Sequence, residues 1–271
     1  MTIKLVAIDM DGTLLNSQGK IQLSTVVAVK KALTRDVKIV LCSGRPFAGL
    51  TAHLKELGIS GPDEYVVTLN GAITQNTAGK VITEDLIPTS CYRQMTAFSV
   101  AHCLPVNIVD TSSRIITPNH NIDLMVYIQA YENLAPLYVR TPDELAPDHE
   151  IAKGCFVGSK ELLDKYETQV KQKFDEKLTV ARTDKHFIEL INPAVNKGNG
   201  LRELCQALGI PANSVMAIGD ERNDISMFDF AGIAICMGNG HAEAKKHADY
   251  VTTSNDADGI SNAFAKFIFK N

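Results

Sequence analysis

Short apolar runs, each closed by small or polar residues, recur along the chain at residues 3–8, 37–41, 65–69, 215–218 and 233–236. Their length and β-branched content predict strands buried on both faces, as in a parallel sheet. Between most of them apolar positions fall at helical spacing, over 24–33, 47–57 and 200–208, the last stopped by Gly209 and Pro211. Such alternation predicts an α/β core, a Rossmann-like doubly wound parallel sheet. The middle of the chain breaks the rhythm. From 84 to 186 the pattern reads helix (91–101), strands (106–109, 114–117), helix (123–132), strand (151–157), helix (160–174) and strand (178–181). This mixing without single short crossovers predicts an inserted α+β domain with an antiparallel sheet. The expected organisation is a core of residues 1–83 and 187–271 interrupted by an insert of 84–186. Neither an internal repeat nor a low-complexity tract is present.

In open α/β sheets ligands bind beyond the carboxyl ends of the strands, where strand order reverses. Polar residues at those ends are therefore candidates for chemistry. The first strand ends in Asp9, Asp11 and Thr13, the second in Ser43, Gly44 and Arg45, and the third in Asn70 and Gly71. The late strand ends in Gly219, Asp220, Asn223 and Asp224, and Lys197 precedes the helix leading to it. If the first and late strands are neighbours, Asp9, Asp220 and Asp224 converge, each pair repelling by roughly 4 kcal/mol at 4 Å and an effective dielectric of 20. Hard oxygen ligands of this kind favour Mg²⁺. Lys197 as a point charge and Ser43 as a hydroxyl donor would complete a phosphate cradle. A carboxylate such as Asp9 can attack phosphorus and form an aspartyl phosphate. Asp11, two residues on, is placed to protonate the leaving oxygen and later deprotonate water.

Composition narrows the reading further. The 271 residues carry a formal charge of −4 with no block of like charges, which marks neither a nucleic-acid nor a membrane surface. A small anionic substrate remains compatible. Six cysteines without C-x-x-C spacing point to a reducing cytoplasm, and no apolar run approaches the roughly 20 residues of a membrane span. Other motifs fail on their spacing. An EF-hand counted from Asp9 would need Gly and Glu where Leu14 and Lys20 stand, and G-x-S-x-G would need glycine at Leu41. Neither Gly19-Lys20 nor Gly79-Lys80 has the earlier glycine of a Walker A loop, and His241 and His247 are six apart, on different helix faces.

Taken together, DMDGT at 9–13, CSGRP at 42–46, NGA at 70–72, NKG at 196–198 and GDERNDISM at 219–227 resemble the haloacid dehalogenase superfamily, and within it the Cof-type (subfamily IIB) phosphatases. The resemblance implies Asp9 as nucleophile and Asp11 as general acid/base, with Asp9, Asp11 (through its backbone carbonyl) and Asp220 on Mg²⁺. It also implies Ser43 and Lys197 as phosphate binders, with Asn223 and Asp224 supporting the metal site. Gly44, Arg45 and Asn70 join the candidate substrate residues from their strand-end positions. The insert falls where that family carries its C2-type cap, which implies that residues 84–186 govern substrate choice. Two departures, Ser43 in place of Thr and Gly240 in place of Ala, leave the chemistry intact.

The expected activity is Mg²⁺-dependent hydrolysis of small phosphorylated metabolites, foremost sugar phosphates. Two alternatives stand beside it: a phosphohexomutase of the same superfamily, and a non-catalytic metabolite-binding regulator. Oligomeric state is not encoded in any motif.

Overall fold

The computed structural model describes residues 2–269. In chain order the strands are β1 (Leu5–Ile8), β2 (Lys38–Cys42), β3 (Tyr65–Thr68), β4 (Ile73–Asn76), β5 (Val81–Glu84), β6 (Val106–Asp110) and β7 (Ile115–Thr117). They continue as β8 (Leu137–Val139), β9 (Ile151–Val157), β10 (Thr179–Asp184), β11 (Phe187–Ile191), β12 (Val215–Gly219), β13 (Ile233–Cys236) and β14 (Tyr250–Val251). The α-helices are α1 (Leu23–Leu33), α2 (Thr51–Leu57), α3 (Thr89–His102), α4 (Leu124–Glu132), α5 (Lys160–Phe174), α6 (Lys197–Leu208), α7 (Ile225–Phe230), α8 (Ala242–Lys246) and α9 (Gly259–Phe267). None of the described helices is long and apolar enough to cross a membrane.

The chain divides into two compact units. The first takes in residues up to Gly44, Leu50–Thr83 and the chain from Asn196 onward. Its sheet runs β14-β13-β12-β1-β2-β3-β4-β5. From β14 to β3 every pairing is parallel, and β4 turns back antiparallel on β3. Every residue of β1 and β12 is buried, as befits strands covered on both faces. Strand order reverses at β1, which pairs with β2 on one side and with β12 on the other, Ile8 opposite Ile218. The expected neighbourhood of the first and late strands is therefore real. It places the polar ends of both at the topological switch point.

The second unit comprises Glu84–Val195 together with Arg45–Gly49. Its sheet runs β10-β11-β9-β6-β7-β8 and is antiparallel apart from the parallel β7–β8 pair. Helices α3 and α5 cover one face through a core that includes Tyr92, Met95, Phe156, Leu163, Val170 and Ile188. The insert is thus the α+β unit anticipated, with one boundary displaced. Residues 187–195 belong with it and not with the core, because β11 forms a hairpin with β10 and pairs with β9. The hairpin turn at 184–187 contains no glycine or proline to announce itself, so a buried apolar run there reads equally well as a core strand. The expected helix over 47–57 is also broken. Its first turn, Phe47–Leu50, is a 3₁₀ segment, and Ala48 donates its N–H to Ser113 Oγ inside the second unit.

Candidate active site

Each site residue of the first unit is delivered by a local device. At the end of β1 the chain coils tightly, Leu14 N–H donating to the Asp9 carbonyl and Leu15 N–H to that of Met10. This coil buries Asp9 and leaves Asp11 exposed. Thr13 points back across the coil, its hydroxyl donating to Asp220 Oδ1 at 2.7 Å. Asp220 itself follows β12, whose pairing with β1 sets the two carboxylates side by side.

Lys197 is the first residue of α6, which starts one turn earlier than periodicity predicts because the Asn196 side chain caps it, accepting from Asn199 N–H. A lysine at a helix N-terminus opposes the helix dipole. The opposition is overcome by two acids, since Nζ donates to Asp9 Oδ1 at 2.5 Å and to Asp224 Oδ1 at 2.7 Å. Gly198 lets α6 come this close to α7: a Cβ there would stand 2.1 Å from the Ser226 carbonyl oxygen.

Asp224 is wholly buried, and its other oxygen, Oδ2, accepts the N–H groups of Asp220 and Glu221, both at 2.9 Å. With both oxygens taken by donors, Asp224 anchors Lys197 and the loop after β12. Oxygens of Asp9, Asp220 and Asp224 lie within 4.8 Å of one another, and among the described residues no other group of histidine, cysteine or acidic side chains has metal-binding geometry. Burial, then the neighbouring Asp224, pushes the Asp9 carboxyl well above its ordinary range despite Lys197. Burial likewise raises Asp220, against the Thr13 hydrogen bond. Burial would lower the Lys197 ammonium, but Asp224 and Asp9 outweigh it and hold Lys197 charged. A single lysine facing three clustered acids leaves a surplus of negative charge, and the donor set is hard oxygen. These residues fit a divalent cation of the Mg²⁺ kind.

Ser43 and Asn70 flank this cluster. Ser43 is buried at the end of β2, its N–H donating to the Val67 carbonyl and its own carbonyl accepting from Asn70 N–H. Leu69 and Asn70 both take left-handed backbone, with φ of 52° and 59°. Asn70 Oδ1 then accepts the Asn223 side-chain amide at 3.1 Å, tying the loop after β3 to the loop after β12. Gly44 faces the Asn70 side chain, to which a Cβ would approach within 3.2 Å. Arg45 groups with the second unit, where its Nη1 donates to the Glu132 carbonyl at 3.3 Å.

Two residues gain importance that their positions in the sequence did not reveal. Thr13 was visible as a strand-end hydroxyl without an assigned role, and only the fold gives it Asp220 as acceptor. Asn239, in the loop after β13, donates through Nδ2 to the Gly12 carbonyl at 2.8 Å, across 227 residues of chain.

Comparison with known proteins follows the same lines. The profile of the haloacid dehalogenase-like hydrolases matches residues 6–264. A Bacillus subtilis protein named "Putative phosphatase YxeH" is 35% identical over 266 residues, 98% of each chain. Among solved structures, a haloacid dehalogenase-like hydrolase from Bacteroides thetaiotaomicron superposes with a TM-score of 0.88 at 29% identity, covering 98% of this chain and 99% of that one. The subclass IIB sugar phosphatase BT4131 superposes with a TM-score of 0.78 at 28% identity, covering 97% and 98%.

Proposed function

From the premise that the chain belongs to the haloacid dehalogenase-like hydrolase family and is a phosphatase of it, we propose that it hydrolyses small sugar phosphates through an aspartyl phosphate on Asp9. The observation that carries the reading is the convergence of Asp9, Lys197, Asp220 and Asp224 at the switch point between β1 and β12. A sugar substrate is supported by the likeness to BT4131, which is named as a sugar phosphatase.

In the first step an Asp9 oxygen attacks phosphorus as the bond to the leaving oxygen breaks, and Asp11 gives that oxygen a proton. In the second, water attacks the acyl phosphate, Asp11 takes its proton back, and inorganic phosphate leaves with Asp9 restored. Lys197 holds Asp9 in place and offers its charge to the phosphoryl oxygens. The Ser43 hydroxyl, the N–H groups beside Gly44 and the Asn70 side chain complete the cradle. Asp9, the Asp11 carbonyl and Asp220 would hold Mg²⁺, with Asn223 and Asp224 in support, and the ion would neutralise charge gathering on the phosphoryl group. Arg45 and the rest of the second unit are the part of the chain to which substrate choice is assigned.

The test is release of inorganic phosphate from a panel of sugar phosphates, nucleotides, and flavin and pyridoxal phosphates. Asp9→Asn preserves the shape of the side chain and is expected to abolish turnover. Chelation is expected to silence the wild type, and added Mg²⁺ to restore it. Wild-type rates from Asp9→Asn would refute the mechanism. An isomerised sugar phosphate in place of free phosphate would identify a mutase, and no turnover of any ester would leave a binding protein.

A further inference from the structure

The sequence M-G-N-G at 237–240 plays no part in the mechanism above, yet its asparagine reaches the loop that carries Asp11. Asn239 is held in one orientation. Nδ2 donates to the Gly12 carbonyl at 2.8 Å while Oδ1 accepts Asn255 N–H at 2.9 Å, and reversing the amide would set like against like at both ends. Asn255 is fixed in turn, its side chain donating to the Leu15 carbonyl at 2.9 Å and its own carbonyl accepting from Gln22 Nε2 at 2.8 Å. The loops after β13 and β14 therefore grip the segment after β1 together, the first at Gly12 through Asn239 and the second at Leu15 and Gln22 through Asn255.

Gly12 is the peptide at which this grip bears on chemistry. Its φ of 84° is left-handed, and a Cβ on it would come 2.4 Å from an Asp220 carboxylate oxygen. The next residue, Thr13, is bonded to that same carboxylate. The coil thus meets Asp220 at Gly12 and Thr13 and is bonded to Asn239 through the Gly12 carbonyl, with Asp11 immediately before the pinned peptide. Asp11 is exposed, so burial in a core does not fix its position.

We propose that Asn239 is a positioning residue for Asp11, holding the Gly12 carbonyl so that the Asp11 carboxyl stays in register with the leaving oxygen. The inference rests on the reading of Asp11 as general acid. A displacement of about 1 Å can cost a reaction roughly 10²-fold. Loss of this hydrogen bond should therefore be felt wherever the proton from Asp11 matters, and little elsewhere.

The experiment uses the full chain with Mg²⁺ and two esters of similar shape, 4-nitrophenyl phosphate and phenyl phosphate, whose leaving groups differ in their need for a proton. It reads kcat/KM, which reports events up to departure of the leaving group. Asn239→Ala and Asn239→Ser are expected to lower kcat/KM on phenyl phosphate about tenfold more than on 4-nitrophenyl phosphate, with an unchanged thermal midpoint. In an Asp11→Asn background the same substitutions should add no such difference, since the group they position is gone. Equal losses on both esters, or an undiminished difference in the Asp11→Asn background, would overturn the inference while leaving the phosphatase reading intact. A wild type inert toward both esters would overturn the phosphatase reading and this inference with it.

Discussion

Lys197 has one charge and two buried acids to share it with, Asp9 and Asp224. Removing one partner from a buried ionic group leaves the other charges uncompensated, at a cost of about 3–5 kcal/mol. Lys197→Met is therefore expected to lower the stability of the metal-free protein by that order, read from denaturant midpoints. Added Mg²⁺ should restore part of the loss, because a cation beside Asp9 and Asp220 answers the same surplus of negative charge. An identical deficit with and without Mg²⁺ would show that the ion does not share these acids. Asp9, Asp220 and Lys197 could be nominated from their strand-end and motif positions alone. Thr13 and Asn239 could not be given roles, because a hydroxyl and an amide acquire meaning only from the acceptor they face.

At the scale of elements, the join of α6 and α7 shows how backbone proximity positions a charge. The Gly198 Cα faces the Ser226 carbonyl with no room for a methyl group. Gly198→Ala is expected to destabilise by about 1–3 kcal/mol through overpacking and to lower phosphate release, since the turn that moves carries Lys197. Chemical denaturation and kcat/KM on one ester check both parts.

In the second unit β9 and β11 carry a different polar element, a buried Lys153–Glu189 ion pair. Lys153→Met should cost about 3–5 kcal/mol by stranding Glu189, and the double variant Lys153→Met/Glu189→Leu should recover most of it. Burial would lower the Lys153 ammonium, but Glu189 outweighs it, so its folded pKa lies above its ordinary value of 10.5. A raised folded value contributes stability fully present below the unfolded pKa and lost as pH rises through the folded one. Stability should thus fall in strong alkali above about pH 10.5 in the wild type, and this fall should be blunted in the double variant.

For the molecule as a whole, the two-unit division makes a sharper excision possible than the sequence alone would support. Cutting at 186 would leave β11 without β9 and β10, its partners in the second sheet. Replacing residues 84–195 by a short flexible linker removes that sheet entire, while the carboxylate cluster, Lys197, Ser43 and Asn70 all stay in the first unit. The expected product is a folded core that binds Mg²⁺ by calorimetry and retains slow hydrolysis of 4-nitrophenyl phosphate. Its preference among sugar phosphates should collapse. A full-length substrate ranking in the truncated chain would place specificity in the core, and a chain that does not fold would show that the units depend on each other.

The sequence by itself determined strands β1, β2, β3, β12 and β13 and helices α1 and α6 of the core, the interruption of that core by an α+β insert, and the order of the acids and hydroxyl at the strand ends and of the lysine before the late helix. These are local properties: hydrophobic period, caps and turn chemistry act over a few residues. Tertiary structure alone decided that Lys197 meets Asp9 across 188 residues, that β11 closes the second sheet, that Arg45 joins the second unit, and that Asn239 reaches Gly12. A buried strand such as β11 presents the same apolar residues whichever sheet it joins, and an asparagine offers the same donor and acceptor wherever it lies. Their partners are chosen by pairings between distant segments, which form only when the whole chain packs.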